Sequence, residues 1–395
     1  MEEKTKCNHK NLLSKKIEIL SSSITSGNKT MSKNSGYEDC VIGIHNGGYS
    51  YNRYFHKEQY DLCGSLGRQY GVSGNNVAIF PSGMCAIDSV FQVLMMENKW
   101  GEVNIVYGDE LYCDTPRTIK YLSANYVKTN LFKINSSDGN FTGNSFQMFN
   151  NKIPTILFIE ACSNPNGNVF DFELLESMPR IMAPGVPMRI IVDNTWLSSA
   201  IFNPFNFDKL ERIDVIVNSL TKYYGAGRSG IMGAAIAREK TFGDRLLEYA
   251  KVKGLHVSPL YCKEAFENLK TLAKRISTSS RLTEEITQYL EAEKGLPVSH
   301  PKLQSHPCYR RARAYFGNLG PSVFTFIVQK KRDDALKWMR GSTYACTTSF
   351  GTSDSRFDQW PGRKGKSAAV CRFSVGYDDN IENLKTEFDR LLAEL

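Results

Sequence analysis

From about residue 75 onward the chain alternates short, wholly apolar runs with longer segments whose apolar residues recur every three to four positions. A brief apolar run bounded by turn formers predicts a strand buried on both faces, and a 3.6-residue recurrence predicts an amphipathic helix. On this basis strands are expected at Val77–Phe80, Val103–Tyr107, Thr155–Ala161, Arg189–Asp193, Val215–Ser219 and Gly233–Ala237. Met84–Met96 reads as a helix, with Ala86, Val90, Phe91, Leu94 and Met95 on its apolar face. Such alternation predicts an α/β domain with a mainly parallel sheet. After about residue 245 the texture changes. Helical stretches cover roughly 258–293, β-like pieces follow at Val323–Gln329, Tyr344–Phe350 and Ala368–Val375, and Asn380–Leu395 reads as a closing amphipathic helix. The first 45 or so residues, rich in Ser, Asn and Lys, suggest an arm rather than core. The expected division is an arm over 1–48, a large domain over 49–245 and a smaller α+β domain over 246–395, without internal repeats.

Composition narrows the class. The 395 residues, 41% of them hydrophobic, suffice for a sizeable core, and 23% charged residues are ordinary for a globular protein. The net charge of +8 is not gathered into a long basic run, which argues against nucleic-acid binding. Ten cysteines stand singly with no CxxC pair, and six histidines show no ligand spacing, so neither a metal site nor a disulfide framework is expected. The N-terminus builds no long apolar stretch, so no signal peptide or membrane span is expected and the cytoplasm is the default compartment.

In an α/β domain, ligands gather beyond the carboxyl ends of the strands, and several polar residues here stand where an apolar run stops. Lys222 lies in Ser219-Leu220-Thr221-Lys222-Tyr223. A lysine so placed is either a solvated surface charge or a catalytic amine, which needs a depressed pKa to attack a carbonyl. The hydroxyls of Ser219 and Thr221 suit a phosphate, and Gly225, Gly227 and Gly230 leave room for the backbone to approach a ligand. Asp193 ends Ile190-Ile191-Val192. It is either a helix N-cap or the carboxylate that pairs with the protonated pyridine nitrogen of pyridoxal 5′-phosphate (PLP) and keeps the ring an electron sink. Ser82-Gly83-Met84 opens a helix, as a simple cap or as an anion site built from free N–H groups. Tyr112 follows another strand, either packing or stacking on a planar cofactor and moving a proton.

Taken in order, these pieces resemble the Cys/Met-metabolism family of PLP enzymes, the group of cystathionine γ-synthase, cystathionine γ-lyase and methionine γ-lyase. The resemblance runs from about residue 49 to the C-terminus. Tyr51-Asn52-Arg53 is similar to the family's Tyr-Ser-Arg, and Ser82-Gly83-Met84-Cys85-Ala86 to its Ser-Gly-Met-Ala-Ala phosphate loop. Tyr112 stands where the ring-stacking Tyr stands. Glu160-Ala161-Cys162-Ser163-Asn164-Pro165 resembles Glu-Ser-Pro-Thr-Asn-Pro, Val192-Asp193-Asn194-Thr195 matches Val-Asp-Asn-Thr, and Asn218-Ser219-Leu220-Thr221-Lys222-Tyr223 resembles His-Ser-Ala-Thr-Lys-Tyr. Cys371-Arg372-Phe373-Ser374-Val375-Gly376 resembles Ile-Arg-Leu-Ser-Val-Gly.

The resemblance implies a PLP-dependent transferase of fold type I, with the cofactor held as a Schiff base on Lys222. It implies that Tyr51 and Arg53 reach the phosphate of a neighbouring subunit, so that a homodimer at least, and usually a tetramer, shares its active sites. Ser82, Gly83, Met84, Thr195, Ser219 and Thr221 are implied around the cofactor, with Asn164 on its ring hydroxyl and Asp193 on its ring nitrogen. Ser349 and Arg372 are implied at the substrate, Arg372 taking the α-carboxylate through its fork of donors. Lys222 then removes the α-proton, a second proton leaves Cβ, and Tyr112 assists expulsion of a γ-substituent, in elimination or replacement. A β-lyase needs only the first proton loss and stays open. A non-catalytic binding or regulatory role also stays open, although the retained Lys222, Asp193, Tyr112 and Arg372 argue against it.

The departures from the family fall near the substrate. Tyr54-Phe55-His56-Lys57 replaces the usual Gly-Asn-Pro-Thr, and Cys113-Asp114 follows the stacking Tyr in place of glycines. Ser349-Phe350-Gly351-Thr352 replaces Ser-Leu-Gly-Gly, and Arg356-Phe357-Asp358-Gln359-Trp360-Pro361 has no counterpart in the common members. A specialised substrate, such as a non-standard amino acid, is the expectation.

Overall fold

The computed structural model describes residues 43–44, 50–51, 56–98, 101–125, 128–227, 230–364 and 367–395. Gly43–Ile44 (β1) and Ser50–Tyr51 (β2) pair antiparallel. The main sheet comprises Val77–Phe80 (β3), Glu102–Gly108 (β4), Lys128–Ile134 (β5), Thr155–Glu160 (β6), Met188–Asp193 (β7), Ile213–Ser219 (β8) and Gly233–Ala237 (β9). Its order is β3-β9-β8-β7-β6-β4-β5; β9 runs antiparallel to both neighbours and the other pairings are parallel. Alternate residues of the same apolar run feed opposite faces, as strand geometry requires. Leu157 and Ile159 of β6 join one core with Val192 and Ile216, while Ile156 and Phe158 join the other with Ile191, Val215 and Val217.

Helices cover both faces. Lys57–Tyr70 (α1) is capped by His56, whose ring accepts the Gln59 N–H, and ends at Gly71 in the left-handed region (φ 75°). Gly83–Asn98 (α2) packs against β8 and β9. Thr115–Asn125 (α3) follows β4, and Lys240–Val252 (α4) packs on β3 and α2.

The expected helical stretch over 258–293 divides at Lys270-Thr271 into Pro259–Leu269 (α5) and Leu272–Ala292 (α6). Tyr309–Phe316 (α7), Arg332–Arg340 (α8) and Ile381–Leu392 (α9) complete the helices used below. A second sheet contains Val298–Ser299 (β10), Val323–Val328 (β11), Ala345–Cys346 (β12), Arg356–Phe357 (β13), Gly362–Lys364 (β14) and Ala368–Ser374 (β15). One face is a Phe-rich core: Phe324, Phe326, Phe357 and Phe373 pack with Leu282 and Ile286 of α6 and Leu384 and Phe388 of α9. Its other face carries Arg356, Arg372 and Ser374, since residues two apart share a face and β13 pairs Arg356 with Ser374.

Strand β5 is absent from the sequence expectation because, at the sheet's edge, it mixes Lys128, Thr129 and Asn130 with Leu131 and Phe132. The strand expected over Tyr344–Phe350 shrinks to Ala345–Cys346. Beyond it Ser349 takes φ 110° and Gly351 φ 77°, conformations that break a strand and turn the chain toward Lys222.

Candidate active site

The carboxyl ends of β6, β7 and β8 bring the predicted polar residues together. β7 ends in Asp193, which is buried, and β8 ends in Ser219, three residues before Lys222. Asp193 Oδ1 accepts the Thr195 N–H at 2.8 Å, and Thr195 Oγ1 accepts the Ser219 N–H at 2.9 Å, so adjacent strand ends are tied side by side. Lys222 Nζ donates to Ser349 Oγ at 3.0 Å and lies 5.2 Å from the centre of the Phe350 ring. The loop that carries Ser349 presses closely on the lysine's own backbone. A Cβ on Gly351 would come within 2.6 Å of Tyr223 N, and Ser349 holds a left-handed conformation that a non-glycine residue keeps only under tertiary constraint.

Electrostatics follow from this burial. The amine of Lys222 is brought down to about 8, first by burial and then by the positive charges of Arg372 and Arg356. Burial likewise raises Asp193 to about 6, against the lowering bonds from Thr195. Glu160 ends β6 in register with Asp193. Its carboxyl is pushed well up, by burial and then by the neighbouring charge of Asp193. Glu160 Oε1 accepts the Tyr112 N–H at 2.5 Å and Oε2 the Asn164 N–H at 3.0 Å. One buried carboxyl thus fixes the backbones that carry both Tyr112 and Asn164.

Asn164 Oδ1 in turn accepts from Arg372 Nη1 at 3.0 Å, joining the second sheet to the first. Burial brings Arg372 down to about 10. Arg372 Nη2 also pairs with the carboxylate of Asp358, which is fixed in place by the Trp360 N–H at 2.9 Å and the Thr348 hydroxyl at 3.4 Å. Tyr112 remains 41% exposed, so its ring is open to a ligand.

The family described as Cys/Met metabolism PLP-dependent enzyme matches residues 18–390. The chain belongs to that family. Among its relatives, cystathionine γ-lyase of Saccharomyces cerevisiae is 26% identical over 273 residues, covering 68% of this chain and 64% of that protein. Cystathionine β-lyase of Neurospora crassa is 28% identical over 239 residues, covering 60% of this chain and 48% of that protein. The chain therefore spans between about half and two thirds of the length of these relatives. In three dimensions it resembles cystathionine γ-synthase of Xanthomonas oryzae pv. oryzae, with a TM-score of 0.72 and 21% identity over 93% of each chain, a likeness of fold.

The residues present fit the PLP of this family. Asp193 is a buried carboxylate with no Lys, Arg or His paired to it among the described residues, which suits a protonated ring nitrogen. Around Ser82 the chain forms a close-walled cradle. Ser82 Oγ accepts the Cys85 N–H at 3.0 Å at the start of α2. A Cβ on Gly83 would lie 2.8 Å from Ser219 Cβ, and one on Gly233 2.3 Å from Ser82 O. Free N–H groups of a helix start, beside a serine hydroxyl and with no side chain in the way, suit a phosphate. Met84 stands half-buried in the first turn of that helix, against its core. The Thr221 hydroxyl donates to Met232 O at 3.2 Å and accepts the Met232 N–H at 3.1 Å, which ties it to the approach to β9. Tyr51 lies in β2 with its side chain outside the described residues, and Arg53 lies outside them altogether.

Four charged residues of the site had been given no role from sequence. Glu160 opened a recognised motif, yet its reach to Tyr112 and Asn164 depends on sheet register. Glu110 accepts from Ser163 Oγ at 2.7 Å, Asn166 Nδ2 at 2.5 Å and Asn168 Nδ2 at 2.8 Å, bracing the loop after β6. Arg356 and Asp358 lie in the run without family counterpart, and only their two-residue spacing on a strand signals that both face the site. Among the described residues no helix is long and apolar enough to cross a membrane, and no group of His, Cys, Asp or Glu is placed to hold a metal ion.

Proposed function

We propose that this protein is a PLP-dependent enzyme that removes the α-proton of an amino acid and then eliminates or replaces its γ-substituent. The observation that carries this reading is Lys222, half-buried with its pKa brought down to about 8 and its Nζ held 3.0 Å from Ser349 Oγ, facing the Arg372–Asn164 pair. Lys222, Asp193, Asn164, Thr195, Tyr112 and the Ser82–Met84 turn with Ser219 and Thr221 would hold PLP, which supplies an electron sink for carbanion chemistry. Arg372 binds the α-carboxylate and so orients the Cα–H bond. With its pKa brought down to about 8, Lys222 is roughly one-tenth unprotonated at pH 7 and half unprotonated near pH 8, far more than an ordinary lysine, which lets it accept the α-proton and return it elsewhere. The Ser349 hydroxyl holds the amine in line. Tyr112, braced through its backbone by Glu160, is the group open to the leaving side of the substrate. Ser349 and Arg372 arrive from the second sheet, so substrate binding depends on how that sheet meets the first.

The functional division follows the arm over 1–48, the cofactor-binding part over 49–245 and the part over 246–395 that brings the substrate groups. Tyr51 and Arg53 would reach the cofactor phosphate of a neighbouring copy, which makes the working unit a homodimer or a tetramer, in the cytoplasm.

A second reading, β-elimination, is favoured by the match to a cystathionine β-lyase at identity comparable with the γ-lyase match. Cystathionine separates the two. With uptake of water, cleavage on the γ side of its sulfur releases 2-oxobutanoate, ammonia and cysteine; cleavage on the β side releases pyruvate, ammonia and homocysteine. Release of 2-oxobutanoate from this or another γ-substituted amino acid is expected. Lys222→Ala should lower turnover by about a thousandfold or more, and a Lys222→Ala protein that retained its rate would sink the scheme.

A further inference from the structure

We infer that Arg356 is a second anion-docking residue of the active site, selecting amino acids whose side chain ends in a negatively charged group. The inference rests on the amino-acid reading above and names its substrate class.

The two arginines of the site differ in their partners. Arg372 is already engaged, with Asn164 Oδ1 on Nη1 and the Asp358 carboxylate on Nη2. Arg356 has no carboxylate partner among the described residues, and its buried Nε has no hydrogen-bond acceptor. A buried guanidinium nitrogen without an acceptor is costly to maintain for structure alone, so its placement calls for a partner that comes from outside.

Register fixes where it faces. Phe357 enters the Phe-rich core, so its neighbour Arg356 lies on the opposite face of β13. That face continues across β15, where Arg356 stands opposite Ser374 and Ser374 Oγ donates to Ser349 O at 3.3 Å. Ser349 is the residue that holds Lys222 Nζ. Arg356, Arg372 and Lys222 therefore surround one space, and the Arg356 charge is felt at Lys222.

Within that space Asp358 offsets the charge of Arg372, whereas nothing described offsets Arg356. A substrate with only an α-carboxylate leaves Arg356 unmatched. A substrate with a second carboxylate, or another terminal anion, meets it with a fork of donors suited to that geometry.

The test compares two unreactive amino acids of equal side-chain length, L-2-aminoadipate with an anionic end and L-norleucine with a neutral one. Their dissociation constants are measured by calorimetry on the PLP-loaded protein. The wild-type protein is expected to bind aminoadipate roughly tenfold tighter or more, the range of a buried charge-assisted bond. Arg356→Leu should remove that preference by weakening aminoadipate alone, and Arg356→Lys should keep part of it. Equal binding of both ligands by the wild-type protein, or an unchanged preference in Arg356→Leu, would overturn the inference while leaving the amino-acid reading intact. The wild-type comparison decides this even if a variant fails to fold. Binding of neither ligand would overturn both.

Discussion

The two ends of the active site are built on different plans. The proposed cofactor end lies at the mouth of parallel strands, where Asp193, Ser219 and the Ser82-Gly83 turn are fixed by bonds from backbone N–H groups to side-chain oxygens and by close packing. The proposed substrate end lies on one face of a mostly antiparallel sheet, where the β13–β15 pairing places Arg356, Asp358 and Arg372 and the bond of Asp358 to Arg372 sets the balance of charge. The first plan leaves little room for change, since a single added methyl group meets backbone or a neighbouring Cβ. The second lets one substitution on a strand face alter the charge offered to a substrate while the Phe-rich core behind stays intact. On the proposed function, this lets a shared cofactor chemistry and a specialised substrate pocket coexist in one chain.

Experiments on the two ends should separate them. Among these, the largest effect is expected from Asp193→Asn, which removes the buried negative charge proposed to face the ring nitrogen of PLP. Turnover should fall by about a hundredfold or more, with KM little changed, and steady-state kinetics that showed only a KM effect would count against that role. Gly83→Ala comes next. Its methyl would land 2.8 Å from Ser219 Cβ, so PLP affinity, read by equilibrium dialysis, should weaken about tenfold because the anion site is forced open.

At the other end Asp358→Asn should act on binding rather than on rate. With the competing carboxylate neutralised, Arg372 should take an α-carboxylate more readily, and KM should fall by about threefold at constant kcat. A rise in KM would mean instead that Asp358 chiefly holds Arg372 in position. The smallest effect concerns pH. With Lys222 as the proposed anchor, PLP capture by cofactor-free protein requires the unprotonated amine, so stopped-flow capture rates should rise with pH and level off above about 8. Arg356→Leu removes a positive charge that disfavours the protonated amine, so the inflection should move upward, by less than about one unit. An unmoved inflection would place Arg356 away from Lys222.

Much of this was legible from the residues. The runs at Val77–Phe80 and Gly233–Ala237 coincide with strands β3 and β9, since a strand buried on both faces needs an unbroken apolar sequence. Lys222, Asp193 and the Ser82-Gly83 turn stood out because each lies at or just beyond the end of such a run. The edge strand β5 escaped because half its surface is solvated. The loop at Ser349 also escaped as a turn: its left-handed residue is a serine, which sequence rules assign no such conformation.

What the sequence by itself determined is most of the strands of the main sheet and the family to which the chain belongs. Hydrophobic periodicity is local, and a motif at a strand end needs only that strand to exist. What only the tertiary structure decided is which charges meet: Glu160 under Tyr112 and Asn164, Asp358 on Arg372, and Arg356 left without an acid partner among the described residues. Those pairings join residues up to 48 positions apart, and the Arg372–Asn164 bond between the two sheets spans 208. They follow from strand register and from the meeting of two sheets, and neither is written in the neighbourhood of any one residue.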